Sequence, residues 1–228
     1  MASRHFTPAL FRFLSDLKRH NDRTWFAAHK DRYQRDVRDP MLQFIADAAE
    51  PLHGISREIV ADPRPVGGSM FRIHRDTRFS KDKTPYKTHA AAHFRHRMGG
   101  HVHTPGFYLH LGPGDVMAGA GIWRPDRPAL DAIRTAIVDN EQLWRRMTTA
   151  RSFRAHCRLE GEVAVRPPRG VDPHHPLLDD LRRKDFTAMA SFSEADAVSP
   201  RFLDRFIRFC RAAAPLNEFL ARALGFDW

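Results

Sequence analysis

The sequence has few of the residues that make a functional site easy to identify. It contains only two cysteines, Cys157 and Cys210, without metal-ligand spacing, so neither a disulfide framework nor a cysteine-based metal site is expected. No apolar run approaches the ~20 residues that span a bilayer. The first residues also lack the apolar core and cleavage site of a signal peptide. We therefore expect a cytoplasmic protein with no membrane segment, in which both cysteines are small buried side chains.

Common cofactor and nucleophile motifs are absent as well. There is no Gly-x-Gly-x-x-Gly or Gly-x-x-x-x-Gly-Lys loop, so nucleotide cofactors held by these loops are not supported. There is also no Gly-x-Ser-x-Gly turn to carry a serine nucleophile. Gly119-Ala120-Gly121 lies in a strand-like segment, where it favours a close backbone approach or a bulge. We predict no cofactor, and the sequence leaves open whether the protein is an enzyme.

Lysine is scarce in a chain that is otherwise strongly basic. The formal net charge is +10, but 31 of the 37 basic residues are arginines spread over nearly every segment. Such a spread gives a diffuse positive surface, which attracts polyanions without specifying one. A nucleic-acid-binding module therefore stays an alternative interpretation. The six lysines are informative because lysine provides a compact ammonium group and a pKa that shifts readily.

Helical patterns occupy both ends of the chain. Start signals for helices occur at Thr7-Pro8, Asn21-Asp22 and Asp39-Pro40, and apolar residues recur at helical spacing after each. Further helical stripes follow Pro125 and Ser199-Pro200. These patterns predict N-terminal and C-terminal groups of helices.

Alternating patterns in the middle of the chain predict strands. They cover residues 70–75, 88–97, 107–111 and 116–123, with shorter candidates at 162–165 and 187–192. Turns such as Gly112-Pro113-Gly114-Asp115 are too short for a parallel crossover, so they favour antiparallel pairing. We predict a single α+β domain over residues 1–228, with a central, mainly antiparallel sheet packed against the N- and C-terminal helices.

One short segment concentrates positive charge. Residues 72–87 contain six cations, balanced only by Asp76 and Asp82. On a strand, Arg72 and Arg78 share a face with Asp76, whose carboxylate can organise their guanidinium groups. We predict that the segment binds a phosphorylated or carboxylated small molecule. The competing interpretation is that the two aspartates only pair with the cations and fix a loop in place.

The predicted ligand-binding residues come from this segment and from one nearby strand. Tyr86 and Tyr108 are included as hydroxyl donors or aromatic surfaces. A catalytic lysine would need a pKa lowered by burial or by neighbouring cations, and the sequence identifies no electrophile, so no catalytic residue is predicted. The full set is Arg72, Arg75, Asp76, Arg78, Lys81, Lys83, Tyr86, Lys87 and Tyr108.

Histidines give a metal-binding interpretation. His89 and His93 share one face of a predicted strand, and His101-Val102-His103 places two more rings two residues apart. With His74 or His110 they could hold zinc or another transition metal. No cysteine or close carboxylate accompanies them, and solvent-facing strand positions explain most of the fourteen histidines. We predict no metal site, and metal binding stays the alternative.

The central segment also carries a resemblance to a known family. Residues 71–88, FRIHRDTRFSKDKTPYKT, closely resemble the signature of the bacterial and fungal domain-of-unknown-function family 2461. Other landmarks agree in order and spacing over essentially the whole chain; they are Asn21, Trp25-Phe26, Lys30, Tyr33, Pro105-Gly106-Phe107-Tyr108, Gly119-Ala120-Gly121-Ile122-Trp123, Pro168-Arg169-Gly170, His175-Pro176 and Lys184. His20 departs from the pattern, because the family often has a second asparagine there. The resemblance implies a shared fold and a shared site, without an established activity.

Overall fold

The computed structural model describes residues 5–99 and 104–228, which build a six-stranded antiparallel sheet with helices packed on one of its faces. The order across the sheet is β1-β2-β3-β4-β6-β5. The predicted α+β class with a central antiparallel sheet is confirmed. The strands are β1 (Ile59–Val60), β2 (Ala90–His96), β3 (Gly106–Gly112), β4 (Asp115–Ile122), β5 (Arg158–Glu160) and β6 (Phe186–Phe192).

Helices precede β1 and follow β4. Side chains of Thr7, Asp22 and Asp126 accept hydrogen bonds from first-turn N–H groups, which explains three of the helix starts. No helix within the described ranges combines the length and apolar character that a bilayer crossing requires. The helices are α1 (Pro8–Arg19), α2 (Arg23–Ala28), α3 (Lys30–Tyr33), a π-helical turn (Gln34–Arg38), α4 (Asp39–His53), α5 (Arg127–Asp139), α6 (Glu141–Thr149), α7 (Arg151–His156), α8 (Leu178–Leu181), α9 (Glu194–Ala197) and α10 (Phe202–Ala223).

The core lies between these helices and one face of the sheet. Phe94 of β2 and Phe107 of β3 are fully buried, and Phe206 of α10 packs on Phe94 with ring centroids 5.5 Å apart. Asn217 of α10 is also fully buried and donates a hydrogen bond of 3.1 Å to the carbonyl of Gly106. Because side chains alternate along a strand, the neighbours of these core residues project from the opposite face of the sheet.

The predicted strand at residues 70–75 is an irregular arm. Backbone N–H groups of Arg75 and Lys87 donate to the carbonyls of Pro85 and Ile73, both at 2.8 Å, so the chain folds back on itself around a turn at 77–83. Pro85 has no N–H with which to return the bond from Arg75, so a regular ladder stops there. We call residues 71–87 the basic arm. Just before the arm, an isolated bridge joins Met70 to Ala92 of β2. Within the arm, a second isolated bridge joins His74 to Tyr86.

The predicted strand at 162–165 is displaced toward the N-terminus. The observed strand, β5, covers residues 158–160, and in the predicted range only Val163 forms an isolated bridge, with Arg183. Gly161 has φ of 129°, a conformation that L side chains rarely adopt, and the chain leaves the sheet at this residue. The sequence pattern located an extended segment correctly but placed its pairing several residues too late.

Candidate ligand pocket on the open face of the sheet

Three glycines leave a depression in the face of the sheet that points away from the core. The strand register places Gly106 beside Gly121 and places Gly119 between Tyr108 of β3 and Met189 of β6. Since glycine has no side chain, the floor of the depression is backbone, and the flanking side chains become its walls. A cavity of about 890 Å³ occupies this space.

The glycines differ in how strictly the fold needs them. A Cβ atom on Gly121 would lie 1.9 Å from the carbonyl oxygen of Phe186, and the residue has φ of 114°. A Cβ atom on Gly119 would meet the sulfur of Met189 at 3.1 Å, which is the mobile end of a flexible side chain. The sequence interpretation of Gly119-Ala120-Gly121 as a close backbone approach is therefore correct at Gly121, whereas Gly119 mainly keeps the cavity open.

The β2 side of the cavity carries a cation, Lys87. Its Nζ atom lies 5.0 Å from the centre of the Phe71 ring. Burial, and then the charge of Arg72, lower the pKa of Lys87 below its usual 10.5, and among the described residues no carboxylate counters these effects. The half-buried ammonium group is therefore a site where an incoming anion is favoured.

Two histidines beside Lys87 are neutral at neutral pH. Burial lowers the pKa of His89 to about 4, and the charges of His110 and Lys87 contribute. Burial also lowers the pKa of His93 to about 4, with a contribution from Arg95. These rings act as polar, uncharged walls of the cavity. Among the described residues, the positive charge at this side comes from Lys87 and the exposed Arg95.

The carboxylates on the opposite side have partners within the protein. Asp185 is 5% exposed and accepts hydrogen bonds from two backbone N–H groups, at 2.7 and 3.1 Å. Glu162 pairs with Lys184, and Glu160 lies 3.6 Å from the guanidinium group of Arg158. Glu160 and Glu162 thus each have a cationic partner, and Asp185 is held by backbone N–H groups, so none of the three is paired with Lys87.

Tyr108 connects the cavity to a histidine and an aspartate. Its hydroxyl lies 3.0 Å from Nδ1 of His110, whose Nε2 lies 3.4 Å from a carboxylate oxygen of Asp115. The carboxylate only accepts hydrogen bonds, so we assign the imidazole proton to Nε2, which leaves Nδ1 to accept from the tyrosine O–H. Burial raises the pKa of Tyr108 to about 12 and lowers that of His110, so both groups are neutral at neutral pH.

Of the predicted ligand-binding residues, the structure brings Lys87 and Tyr108 together at the cavity. Tyr86 lies elsewhere: it is 6% exposed and stacks on Phe26 of α2, with ring centroids 4.2 Å apart. Because neighbouring side chains of an extended segment point in opposite directions, Tyr86 in the core leaves Lys87 on the cavity side. Tyr86 therefore anchors the basic arm.

The other predicted cations lie along the basic arm. Arg75 pairs with Asp82, and Arg78 forms hydrogen bonds of 3.0 and 2.7 Å with Asp76. Lys83 donates to a backbone carbonyl of the turn at 2.9 Å. Each of these two arginines thus has a carboxylate partner within the arm. Arg72 and Lys81 are exposed and do not line the cavity; ligand contact by the arm outside Lys87 stays a prediction.

The places of Gly106, Gly119 and Arg95 at the cavity were not predicted from the sequence, because they depend on strand register. Within residues 5–99 and 104–228, no group of three or more His, Cys, Asp or Glu is arranged to hold a metal ion. His89 instead packs on His110, with ring centroids 4.2 Å apart. The predicted pair in His101-Val102-His103 lies outside the described residues.

A protein-family model matches most of the chain. The family model described as "Conserved hypothetical protein (DUF2461)" matches residues 9–219. Neither the curated proteins nor the solved structures contain a match to the chain. The matched range contains the whole cavity and the basic arm.

Proposed function

The chain belongs to the DUF2461 family of conserved hypothetical proteins, as its central segment predicts, and we propose that it binds a small phosphorylated or carboxylated molecule in the cavity above Gly119. The observation that carries the proposal is the position of Lys87 at the cavity. This ammonium group faces the cavity from a half-buried position. Among the described residues, no carboxylate stabilises its charged form. Burial removes part of the hydration of the ammonium group, and an anion bound beside it would compensate for that loss.

The walls of the cavity suit a small molecule with one anionic end. A cavity of about 890 Å³ is in the range of ordinary ligand sites. Near Lys87, the phenol of Tyr108 supplies a polar group, and the ring of Phe71 covers one side. Trp123 is 65% exposed, and the guanidinium of Arg124 stacks 4.6 Å from its ring. Together they offer a flat surface at the rim of the cavity. A ring or hydrocarbon portion of the ligand fits this second region.

A thermal-shift screen against inorganic phosphate, sugar phosphates and small carboxylates tests the proposal. We expect at least one compound to raise the melting temperature of the native protein, and we expect Lys87→Met to abolish the shift. Lys18→Met is the matched control, since Lys18 is an exposed lysine at the end of α1. Equal loss of the shift in both variants, or no shift with any anion, contradicts the proposal.

A second candidate function is nucleic-acid binding by the turn of the basic arm. Phe79 is 96% exposed, and the guanidinium of Arg78 lies 5.8 Å from its ring, so an aromatic side chain stands among cations. Such a group supports stacking of single-stranded bases. Anisotropy measurements with a labelled single-stranded oligonucleotide at two salt concentrations test it. Binding that depends steeply on salt and drops in Phe79→Ala supports it, and weak binding unchanged by Phe79→Ala contradicts it.

A further inference from the structure

We propose that Tyr108, His110 and Asp115 form a proton relay, and that the cavity catalyses proton transfer at a carbon atom next to the carbonyl group of a small oxo acid or oxo phosphate. This inference rests on the proposed function, because it takes Lys87 as the group that holds the anion. It adds a reaction class and a catalytic residue, Tyr108.

The three side chains lead from the cavity to the solvent. Tyr108 lines the cavity, the side chain of His110 is 13% exposed, and that of Asp115 is 56% exposed. The links are the 3.0 Å contact from the hydroxyl to Nδ1 and the 3.4 Å contact from Nε2 to the carboxylate. A proton that reaches the tyrosine oxygen therefore has a path away from the ligand, and a carboxylate stands at the end of that path to stabilise the imidazolium.

The strand register places no ionisable residue directly opposite His110. Its neighbours across the sheet are Ala91 and Met117, neither of which titrates. Among the residues that the structure describes, the ionisable groups that face it are Tyr108 on its own strand, Asp115 at the start of β4 and His89 before β2. His89, whose pKa is about 4, stays uncharged while the imidazolium forms and so does not oppose it.

A relay of this kind is most useful for a proton on carbon. Protons on oxygen and nitrogen exchange with water unaided, whereas a proton on carbon needs a base in contact with it and a group that stabilises the charge left behind. In a small oxo acid or oxo phosphate the carbonyl oxygen lies close to the anionic group, so the ammonium group of Lys87 that holds the anion would also stabilise the developing enolate oxygen. Neutral His110, acting through Tyr108, would accept the proton. One cavity thus contains both parts that the reaction requires.

The step balances without a co-reactant. The C–H bond breaks, its electron pair forms a C=C bond, and the carbonyl π pair moves to oxygen beside the ammonium group of Lys87. The released proton bonds to the oxygen of Tyr108 while the phenol's own proton moves to Nδ1 of His110. Reversal in heavy water returns a deuteron to the same carbon, so the net change is replacement of hydrogen by deuterium.

Proton NMR in heavy water, with pyruvate and dihydroxyacetone phosphate as probes, tests this step. Calorimetry first establishes which probe binds. For a probe that binds, we expect its carbon-bound protons to exchange faster than in buffer. Tyr108→Phe and His110→Gln should slow exchange at least tenfold while the dissociation constant changes less than about threefold, a split that only a role in the step produces. His156→Gln, a remote histidine on α7, should exchange at the native rate.

A bound probe that does not exchange, or native exchange in Tyr108→Phe, overturns the relay and leaves the binding proposal standing. If neither probe binds, the binding proposal fails for these compounds, and NMR of ¹⁵N-labelled histidines still decides the relay. The relay predicts a proton on Nε2 of His110, and comparison with the spectrum of His110→Gln assigns the signals. A proton on Nδ1 would mean that Tyr108 accepts instead of donating, and the relay would be refuted.

Discussion

The side chain of Asn21 forms two hydrogen bonds with the backbone of Tyr86: its Nδ2 donates to the carbonyl at 2.9 Å, and its Oδ1 accepts from the N–H at 3.0 Å. A neighbouring strand would satisfy the same two groups. A side chain between α1 and α2 thus takes the place of a pairing strand for the basic arm. Because Lys87 follows directly, this pair fixes the backbone from which the Lys87 side chain extends to the cavity.

Replacing Asn21 with alanine should destabilise the protein and weaken anion binding together. The change leaves two backbone groups of buried Tyr86 without partners, at a cost of roughly 1–3 kcal/mol. Urea unfolding measures the stability, and calorimetry measures the affinity. Asn140→Ala is the matched control, because Asn140 makes one exposed hydrogen bond at the end of α5, and it should change stability by less than about 0.5 kcal/mol. Native stability and affinity in Asn21→Ala would refute the anchoring role.

Filling the floor of the cavity should abolish binding without unfolding the protein. In Gly119→Leu the new side chain projects from the open face of the sheet, where its first atom meets the flexible end of Met189 at 3.1 Å and has an ordinary contact of 3.6 Å with Tyr108 Cβ. We expect at least a tenfold loss of anion affinity with a cooperative unfolding transition retained. Gly54→Ala, at the end of α4, is the control for a glycine substitution outside the cavity, because its added Cβ has only ordinary contacts. Native affinity in Gly119→Leu would place the ligand elsewhere.

Gly121→Ala should behave differently from Gly119→Leu. Its Cβ would overlap the backbone of Phe186, and its positive φ disfavours any L side chain. We expect reduced stability or failure to fold, seen as a lower urea midpoint. A fully stable Gly121→Ala protein would contradict the observed pairing of β4 with β6.

Acid should destabilise the protein through His89 and His93. Both have a folded pKa of about 4 against 6.5 in the unfolded chain, so the unfolded state binds more protons between these values. Stability therefore falls as pH decreases from 6.5 to 4, by at most about 1.4 kcal/mol per pH unit for each histidine. Urea midpoints across this range measure it. His93→Gln should flatten the curve, and a curve as steep as native would contradict burial of His93 in its neutral form.

Anion affinity should fall at alkaline pH earlier than an exposed lysine would allow. The pKa of Lys87 is lowered from 10.5 by burial and Arg72, so the free protein loses this charge sooner as pH rises. Calorimetry from pH 7 to 10 measures the effect. Lys87→Arg keeps a charge throughout this range, so its affinity, even if lower at pH 7, should stay constant. A native curve as flat as that of Lys87→Arg would contradict a role for the Lys87 ammonium.

The sequence predicted the fold better than the site, for physical reasons. Period-two alternation in β2 and around Gly112-Pro113-Gly114-Asp115 reports burial directly, so the antiparallel sheet could be derived from local residues. The direction of Lys87 could not, because it depends on Asn21, which lies 65 residues away from Tyr86 in the chain. The glycine floor depends on the register of three strands. The pairing of Arg78 with Asp76, two residues apart, was foreseeable from the sequence. It agrees with the competing interpretation, in which the aspartates pair with cations and fix a loop in place.

The most direct measurement compares two lysines of the basic arm. Lys87 lines the cavity, whereas Lys81 is exposed near the turn of the arm. Calorimetric titration of native protein, Lys87→Met and Lys81→Met with the best anion from the thermal-shift screen separates the two positions. We predict at least a tenfold weaker affinity for Lys87→Met and an affinity within about twofold of native for Lys81→Met. The opposite order would move the site from the sheet cavity to the turn and contradict the account.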